Sequence, residues 1–290
     1  MKNNKIKAQI IQIHSNLAVV EDNNSTLVCK LKGILKYNQT IKPVVGDFIE
    51  YEIINNEPVV VSILPRNNYL IRPKVANIDT IILVQSLVQP NFNFHLLMIF
   101  LAYYETFVDE VIIVFTKSYL INQEQFNHLT NYFQALKSDG YNLFFLPKEN
   151  EFDALKKYLL HKTFALAGNS GVGKSTIMNK LIPNLNAKTQ EISLFLNRGK
   201  HTTTSSHLIK TVKFNLIDTP GFSSIDINLL TKLQLAHSYH DFKKYSLNCK
   251  YSNCLHINEP NCAVKTAIET KKLSLLRYQE YLNILKDIKK

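Results

Sequence analysis

The segment Gly168-Asn169-Ser170-Gly171-Val172-Gly173-Lys174-Ser175-Thr176 carries the clearest chemistry in this chain. Gly168 and Gly173 have four residues between them, and the second is followed by lysine and a hydroxyl residue, the spacing of a loop that wraps a phosphate chain. Glycines allow positive φ and close backbone approach, so the amides of Ser170 to Lys174 can turn inward, and the following helix adds its positive end. Lys174 then reaches the β and γ phosphates, and Ser175 offers a hydroxyl to magnesium. The strand-like run Thr163–Ala167 before the loop and the helix-like run from Ser175 after it supply the context the motif requires.

Two further elements complete a triphosphate site. Lys213 to Ile217 reads as a buried strand ending in Asp218-Thr219-Pro220-Gly221. In this D-x-x-G pattern the aspartate holds magnesium through water and the Gly221 amide senses the γ phosphate. Between loop and strand lies His201-Thr202-Thr203-Thr204-Ser205-Ser206, too polar for a core and placed as a switch over the metal. Thr203 is the expected magnesium ligand, with Thr204 as its neighbouring alternative. Phe222 stands where a water-orienting glutamine occurs in Ras-like enzymes, so unaided hydrolysis is expected to be slow, and His201 is the candidate to position water.

A third constellation is Cys249, Cys254, His256 and Cys262, spaced C-x4-C-x-H-x5-C. Three thiolates and one imidazole suit tetrahedral zinc with no open position, hence one structural ion. Cys29 is left over in a strand-like run and reads as an inert buried thiol.

Strands that would ordinarily follow the phosphate loop precede it. Ile78 to Val84 and Glu110 to Phe115 are continuous apolar runs, as in doubly buried parallel strands. The second leads into Thr116-Lys117-Ser118-Tyr119, the place of the base-reading [NT]KxD of GTPases. Thr116 and Lys117 fit; Tyr119 replaces the carboxylate. An amphipathic helix bearing Phe126, Leu129, Phe133 and Leu136, stopped by Gly140, leads to a strand at Tyr141 to Leu146. There Leu146-Pro147 stands where a Ser-Ala backing for the base is expected.

This rotated order resembles the RsgA family of circularly permuted GTPases. Similar to that family are Arg72 to Asp79, Glu191-Ile192-Ser193, Arg198 to Thr204, Glu259 to Val264 and Arg277 to Tyr281. The resemblance implies a GTPase binding GTP and GDP with magnesium, acting in late maturation of the small ribosomal subunit, bound to its rRNA and released on hydrolysis. It also implies that the first barrel is an OB-fold. The alternative of another class is a ribosome- or RNA-binding module whose nucleotide site has become weakly base-selective.

The elements that must position these residues divide the 290-residue chain into three. Residues 1–66 alternate in short runs, as in a small antiparallel barrel, OB-like or SH3-like on strand count alone. Residues 67–228 form the permuted α/β GTPase domain, with Pro65 to Asn68 as linker, and residues 229–290 a zinc-binding helical domain. With 46% hydrophobic residues, more than one core is affordable in this length. Of the formal charge of +11, residues 229–290 carry +6, against +2 for 1–66 and +3 for 67–228. A basic tail beside a barrel suits a structured RNA partner. The longest apolar run, Leu96 to Tyr104, falls well short of a bilayer span, so no membrane is expected. A cytoplasmic monomer with reduced thiols follows.

Overall fold

Period-two alternation in the first segment produces a barrel. The strands are β1 Ile6–His14, β2 Leu17–Glu21, β3 Thr26–Lys30, β4 Phe48–Ile54 and β5 Glu57–Ile63. Alternate residues Ala8 and Ile10, Ala18 and Val20, Cys29 and Leu31, Ile49 and Tyr51 point inward with Val60 to fill it. β1, β2 and β3 form an antiparallel meander, β3 pairs in parallel with β5, β5 with β4, and β4 returns antiparallel to β1. That closure is the five-stranded OB topology. The turn between β4 and β5 is Asn55-Asn56, both at positive φ (51° and 62°), the twist a two-residue hairpin requires.

The computed structural model describes residues 5–22, 25–31, 42–183, 185, 206–218 and 225–289. They fall in two compact units. The first joins residues 1–79, which contain the barrel, to Leu159–Leu166 and Ser175–Phe222. Pro65 to Asn68, expected as a linker, is instead pinned. The Arg66 guanidinium donates to both oxygens of buried Asp47 (2.6 and 2.8 Å), Asn77 Oδ1 accepts from the Asn67 amide (2.9 Å), and Asn68 brackets the Ile78 peptide from both sides. A short hairpin of β6 Tyr69–Leu70 and β7 Val75–Ala76 follows. Gly46 (φ +93°) sits against it so closely that a Cβ would lie 2.1 Å from the Ala76 carbonyl oxygen.

In the same unit β11 Thr163–Ala167 runs parallel to β13 Asn215–Asp218, which pairs antiparallel with β12 His207–Lys210. β12 in turn meets β1 at His207 and Gln12. β11 and β13 run the same way in register, Ala165 beside Ile217, so both end on one edge of the sheet.

The second unit holds Thr80–Tyr158, Ala167–Lys174 and Ser223–Lys290. Its strands β8 Thr80–Ser86, β9 Val111–Thr116 and β10 Leu143–Phe145 are parallel, and every residue of β8 and β9 is buried, as continuous apolar runs demand. Helices α1 Phe94–Phe107 and α2 Gln123–Ser138 connect them and α3 Glu149–Tyr158 follows β10, while α4 Lys174–Leu181, which opens at the end of the phosphate loop, belongs from Ser175 onward to the first unit. Asn122 and Gln125 form a capping box at the start of α2. The tail adds α5 Lys232–Ala236, α6 His240–Ser246, α7 Ala263–Glu269 and α8 Leu275–Asp287. Among the described residues, no helix is long and apolar enough to cross a membrane.

Arg277 of α8 is fully buried. Its Nη1 donates to Asp139 Oδ2 (2.8 Å) and to the Asp241 carboxylate, its Nη2 to the Tyr141 hydroxyl (2.7 Å), and its cation lies 4.6 Å from the Tyr141 ring centre. One guanidinium thus serves two carboxylates held out of water, and its removal strands both. Arg277→Met is expected to lower unfolding free energy by about 3–5 kcal/mol. Urea denaturation of the zinc-loaded protein checks this, and further replacement of both aspartates by asparagine should recover part of the loss.

Candidate nucleotide site and metal centre

The loop Gly168 to Gly173 lies between β11 and α4 because a buried strand, a glycine-rich turn and a helix start follow in sequence. Gly168 has φ +135°, and a Cβ there would meet the Val84 carbonyl oxygen of β8 at 2.2 Å. Among the described residues, no backbone carbonyl takes an amide of Asn169 to Gly173, which leaves those donors for an anion.

The carbonyls of Gly168, Asn169, Gly171 and Val172 accept from side chains. Lys174 Nζ donates to the carbonyls of Gly168 (2.6 Å) and Asn169 (2.7 Å), Lys117 Nζ to Gly171 (2.9 Å) and also to Gln89, and Thr116 Oγ1 to Val172 (2.6 Å). Thr116 ends β9, and Lys117 takes a left-handed conformation (φ 58°) that turns its stem toward the loop. Burial pushes the Lys174 ammonium below its usual pKa. A phosphate anion beside it would act in the opposite sense.

Ser170, Ser175 and Thr176 are exposed, Asn169 is half-buried and Val172 is buried. Asp218 ends β13, half-buried, and burial raises its carboxyl above the usual range. A hydroxyl at a helix start and a partly desolvated carboxylate are hard oxygen donors, the set magnesium takes. His201, Thr203, Thr204, Gly221 and Phe222 lie outside the described residues. Ser118, Tyr119 and Leu120 form a single 3-10 turn after Lys117, with the Ser118 hydroxyl on the Leu146 carbonyl (2.9 Å).

The sulfurs of Cys249, Cys254 and Cys262 and a ring nitrogen of His256 all lie within 4.8 Å of one another. His256 Nδ1 is 3.3 Å from Cys262 Sγ and 3.7 Å from Cys249 Sγ. Its Nε2 faces the Ala236 carbonyl (3.3 Å), which sets that nitrogen as donor and leaves Nδ1 as ligand. Burial lowers the imidazole to about 4, so it is neutral, and raises the Cys254 thiol to about 12, a cost that a divalent cation reverses. This donor set fits one zinc ion.

Parts of its support were not legible beforehand. The Glu259 carboxylate accepts from the amides of Leu255 (2.7 Å) and Ile257 (2.8 Å), while the Tyr278 and Tyr281 hydroxyls of α8 hold the carbonyls of His256 and Leu255. Cys29 lies apart, buried in the barrel, its thiol pushed up to about 12.

Two substitutions test these centres. Gly168→Ala meets both a forbidden φ and a backbone oxygen, and is expected to cost about 1–3 kcal/mol and abolish nucleotide binding, read by melting temperature and by titration with labelled GDP. Cys254→Ser should remove the single zinc and loosen the tail while nucleotide binding largely survives, read by metal analysis and the same titration. A fully folded native protein that contains no metal refutes the zinc site.

Comparison with known proteins agrees with this geometry. The family described as RsgA GTPase matches residues 63–228, and the RsgA N-terminal domain matches residues 7–61. A protein of Ureaplasma urealyticum named small ribosomal subunit biogenesis GTPase RsgA is 45% identical, covering 89% of this chain and 86% of its own. Its namesake in Malacoplasma penetrans is 42% identical over 92% of this chain and 96% of its own. Among solved structures, YjeQ from Thermotoga maritima superposes with a TM-score of 0.80 at 29% identity, covering 98% of this chain and 99% of its own. YloQ, described as a circularly permuted GTPase, gives 0.78 at 31% identity over 99% and 96%. With the rotated order, the phosphate loop and the family match over more than half its length, the chain belongs to the RsgA family of GTPases.

Proposed function

We propose that this GTPase acts in maturation of the small ribosomal subunit, binding its rRNA in the GTP state and leaving after hydrolysis. The observation that carries this reading is that relatives named for that task align over about nine-tenths of the chain, barrel included. The +6 charge of residues 229–290 supports an RNA partner for the tail. The alternative of a ribosome- or RNA-binding module in place of an enzyme, its nucleotide site degenerate and weakly base-selective, is set aside as to enzyme class, because the family and its solved relatives are GTPases.

In this reading Gly168, Asn169, Ser170, Gly171, Val172, Gly173, Lys174, Ser175 and Thr176 bind the phosphates, with Gly221 at the γ position, and Thr116 and Lys117 flank the base. Ser175, Thr203 and Asp218 would hold magnesium, which supplies charge neutralisation between the β and γ phosphates. Lys174 spreads γ-phosphate charge, and His201 orients water in a site where Phe222 supplies no hydrogen bond. Zinc at Cys249, Cys254, His256 and Cys262 is structural. We assign the parts as barrel 1–66, GTPase domain 67–228 and zinc-bearing domain 229–290, in a cytoplasmic monomer. Since the chain runs from Asp218 through the switch into the tail, nucleotide state and RNA affinity would be coupled along it.

Turnover alone is expected on the order of 10⁻⁴–10⁻² s⁻¹ or below, the range of GTPases that act without an activating partner. Purified small subunits should raise it by about tenfold or more. Lys174→Ala should remove it in both conditions. Phosphate release measured with and without small or large subunits checks this, and equal stimulation by large subunits would show the partner to be wrong.

A further inference from the structure

Guanine is distinguished from adenine on its Watson–Crick edge, where N1–H and N2–H2 donate beside the O6 acceptor; adenine presents an N1 acceptor beside N6–H2. A site that selects guanine therefore needs paired acceptors, which a carboxylate provides, and a donor for O6. Sites built this way reject the mismatched analogue by about 10⁴–10⁵, because their polar groups are otherwise left unpaired. The base end of this loop offers neither in the usual places.

From Thr116 to Asn122 there is no acidic residue. Tyr119, two residues beyond Lys117, is 68% exposed, and its phenol is a single hydroxyl that donates or accepts equally well. At the end of β10 the Leu146 amide is committed to the Phe115 carbonyl (2.8 Å), its carbonyl takes the Ser118 hydroxyl, and Pro147 has no N–H. Two consecutive positions that would face O6 therefore supply no free amide. Of the carboxylates that follow, Glu151 accepts from the Phe145 amide (3.4 Å), while Glu149 stands exposed in the first turn of α3. What remains is indifferent to the base. The Lys117 stem crosses to Gly171, and the Tyr119 ring is a π face open to any purine.

We propose that this nucleotide site holds its ligand through phosphate and stacking contacts and tells purines apart poorly, so that adenine and hypoxanthine nucleotides compete with GDP. This rests on the phosphate-loop reading above. Thr116 and Lys117 are committed to the loop itself, so the selectivity-determining position is Tyr119. An aspartate there would accept two guanine donors, and hydrogen bonds to a charged acceptor are worth about tenfold to a few hundredfold each in affinity.

The test is competition of unlabelled GDP, IDP and ADP against N-methylanthraniloyl-GDP on the full-length, zinc-loaded protein with magnesium. ADP is expected within about thirtyfold of GDP, and IDP, which lacks the N2 amine, within about threefold, which needs no variant. Tyr119→Asp should tighten GDP by about a hundredfold or more, two such bonds acting together, and leave ADP within about threefold. A native preference for GDP over ADP of a thousandfold or more overturns the proposal. If Glu149→Gln then erases that preference, the reader is that carboxylate. An unchanged GDP to ADP ratio in Tyr119→Asp overturns it as well. Failure to bind any of the three nucleotides instead sinks the phosphate-loop reading, and with it this proposal.

Discussion

A loop that turns its amides inward to receive phosphate must turn its carbonyls outward, and those oxygens need donors if they are not to be left bare near a core. The nucleotide site depends on how that requirement is met. Thr116 and Lys117, at the end of β9, cap the carbonyls of Val172 and Gly171, and Lys174 folds back onto those of Gly168 and Asn169. β9 is held by burial on both faces between β8 and β10. The phosphate cradle is therefore braced from behind by a strand that precedes it in sequence. Lys174 has two uses: it satisfies oxygens of the loop, and its half-buried ammonium stands at the helix start, where a phosphate would recruit it.

Local patterns were legible in the sequence; distant pairings were not. The glycine spacing, the C-x4-C-x-H-x5-C run and the unbroken apolar strands each declare themselves within a dozen residues. The barrel's inward residues follow from alternation, interrupted by an irregularity between Ile10 and Gln12 of β1, and Asn55-Asn56 marks its turn. The bond from Thr116 to Val172 spans 56 residues, and no local pattern encodes it. Pro65 to Asn68 read as a linker because its partners, Asp47, Asn77 and Ile78, belong to other segments. Pro147 looks like a simple substitution until the Leu146 amide is seen to be spent in the sheet.

Arg277 was the least legible residue of all. In a tail with a surplus of lysine and arginine, one more basic residue reads as part of a solvated, RNA-facing surface. Instead it is sealed between Asp139, Asp241 and Tyr141, beside Glu105 and His240, which are themselves hydrogen-bonded to one another. The same helix carries the two tyrosines that fix the loop bearing His256. Metal ligands and buried charge are thus held by one helix: Tyr278 and Tyr281 of α8 donate to carbonyls of the cysteine loop, and Arg277 donates to two buried carboxylates.

This sharing bears on the heredity of the tail. A segment that folds around its own metal and its own core can be exchanged between genes as a cassette, since its boundary crosses few contacts. Here a crossover near residue 229 would separate Arg277 from Asp139 and Tyr141, leaving each half with a buried charge or phenol made for the other. Only exchanges that carry α1, α2 and the tail together keep that charge balanced. The C-terminal sixty residues, which look portable when read as a zinc motif, are therefore bound to descend with the strands that come before the phosphate loop.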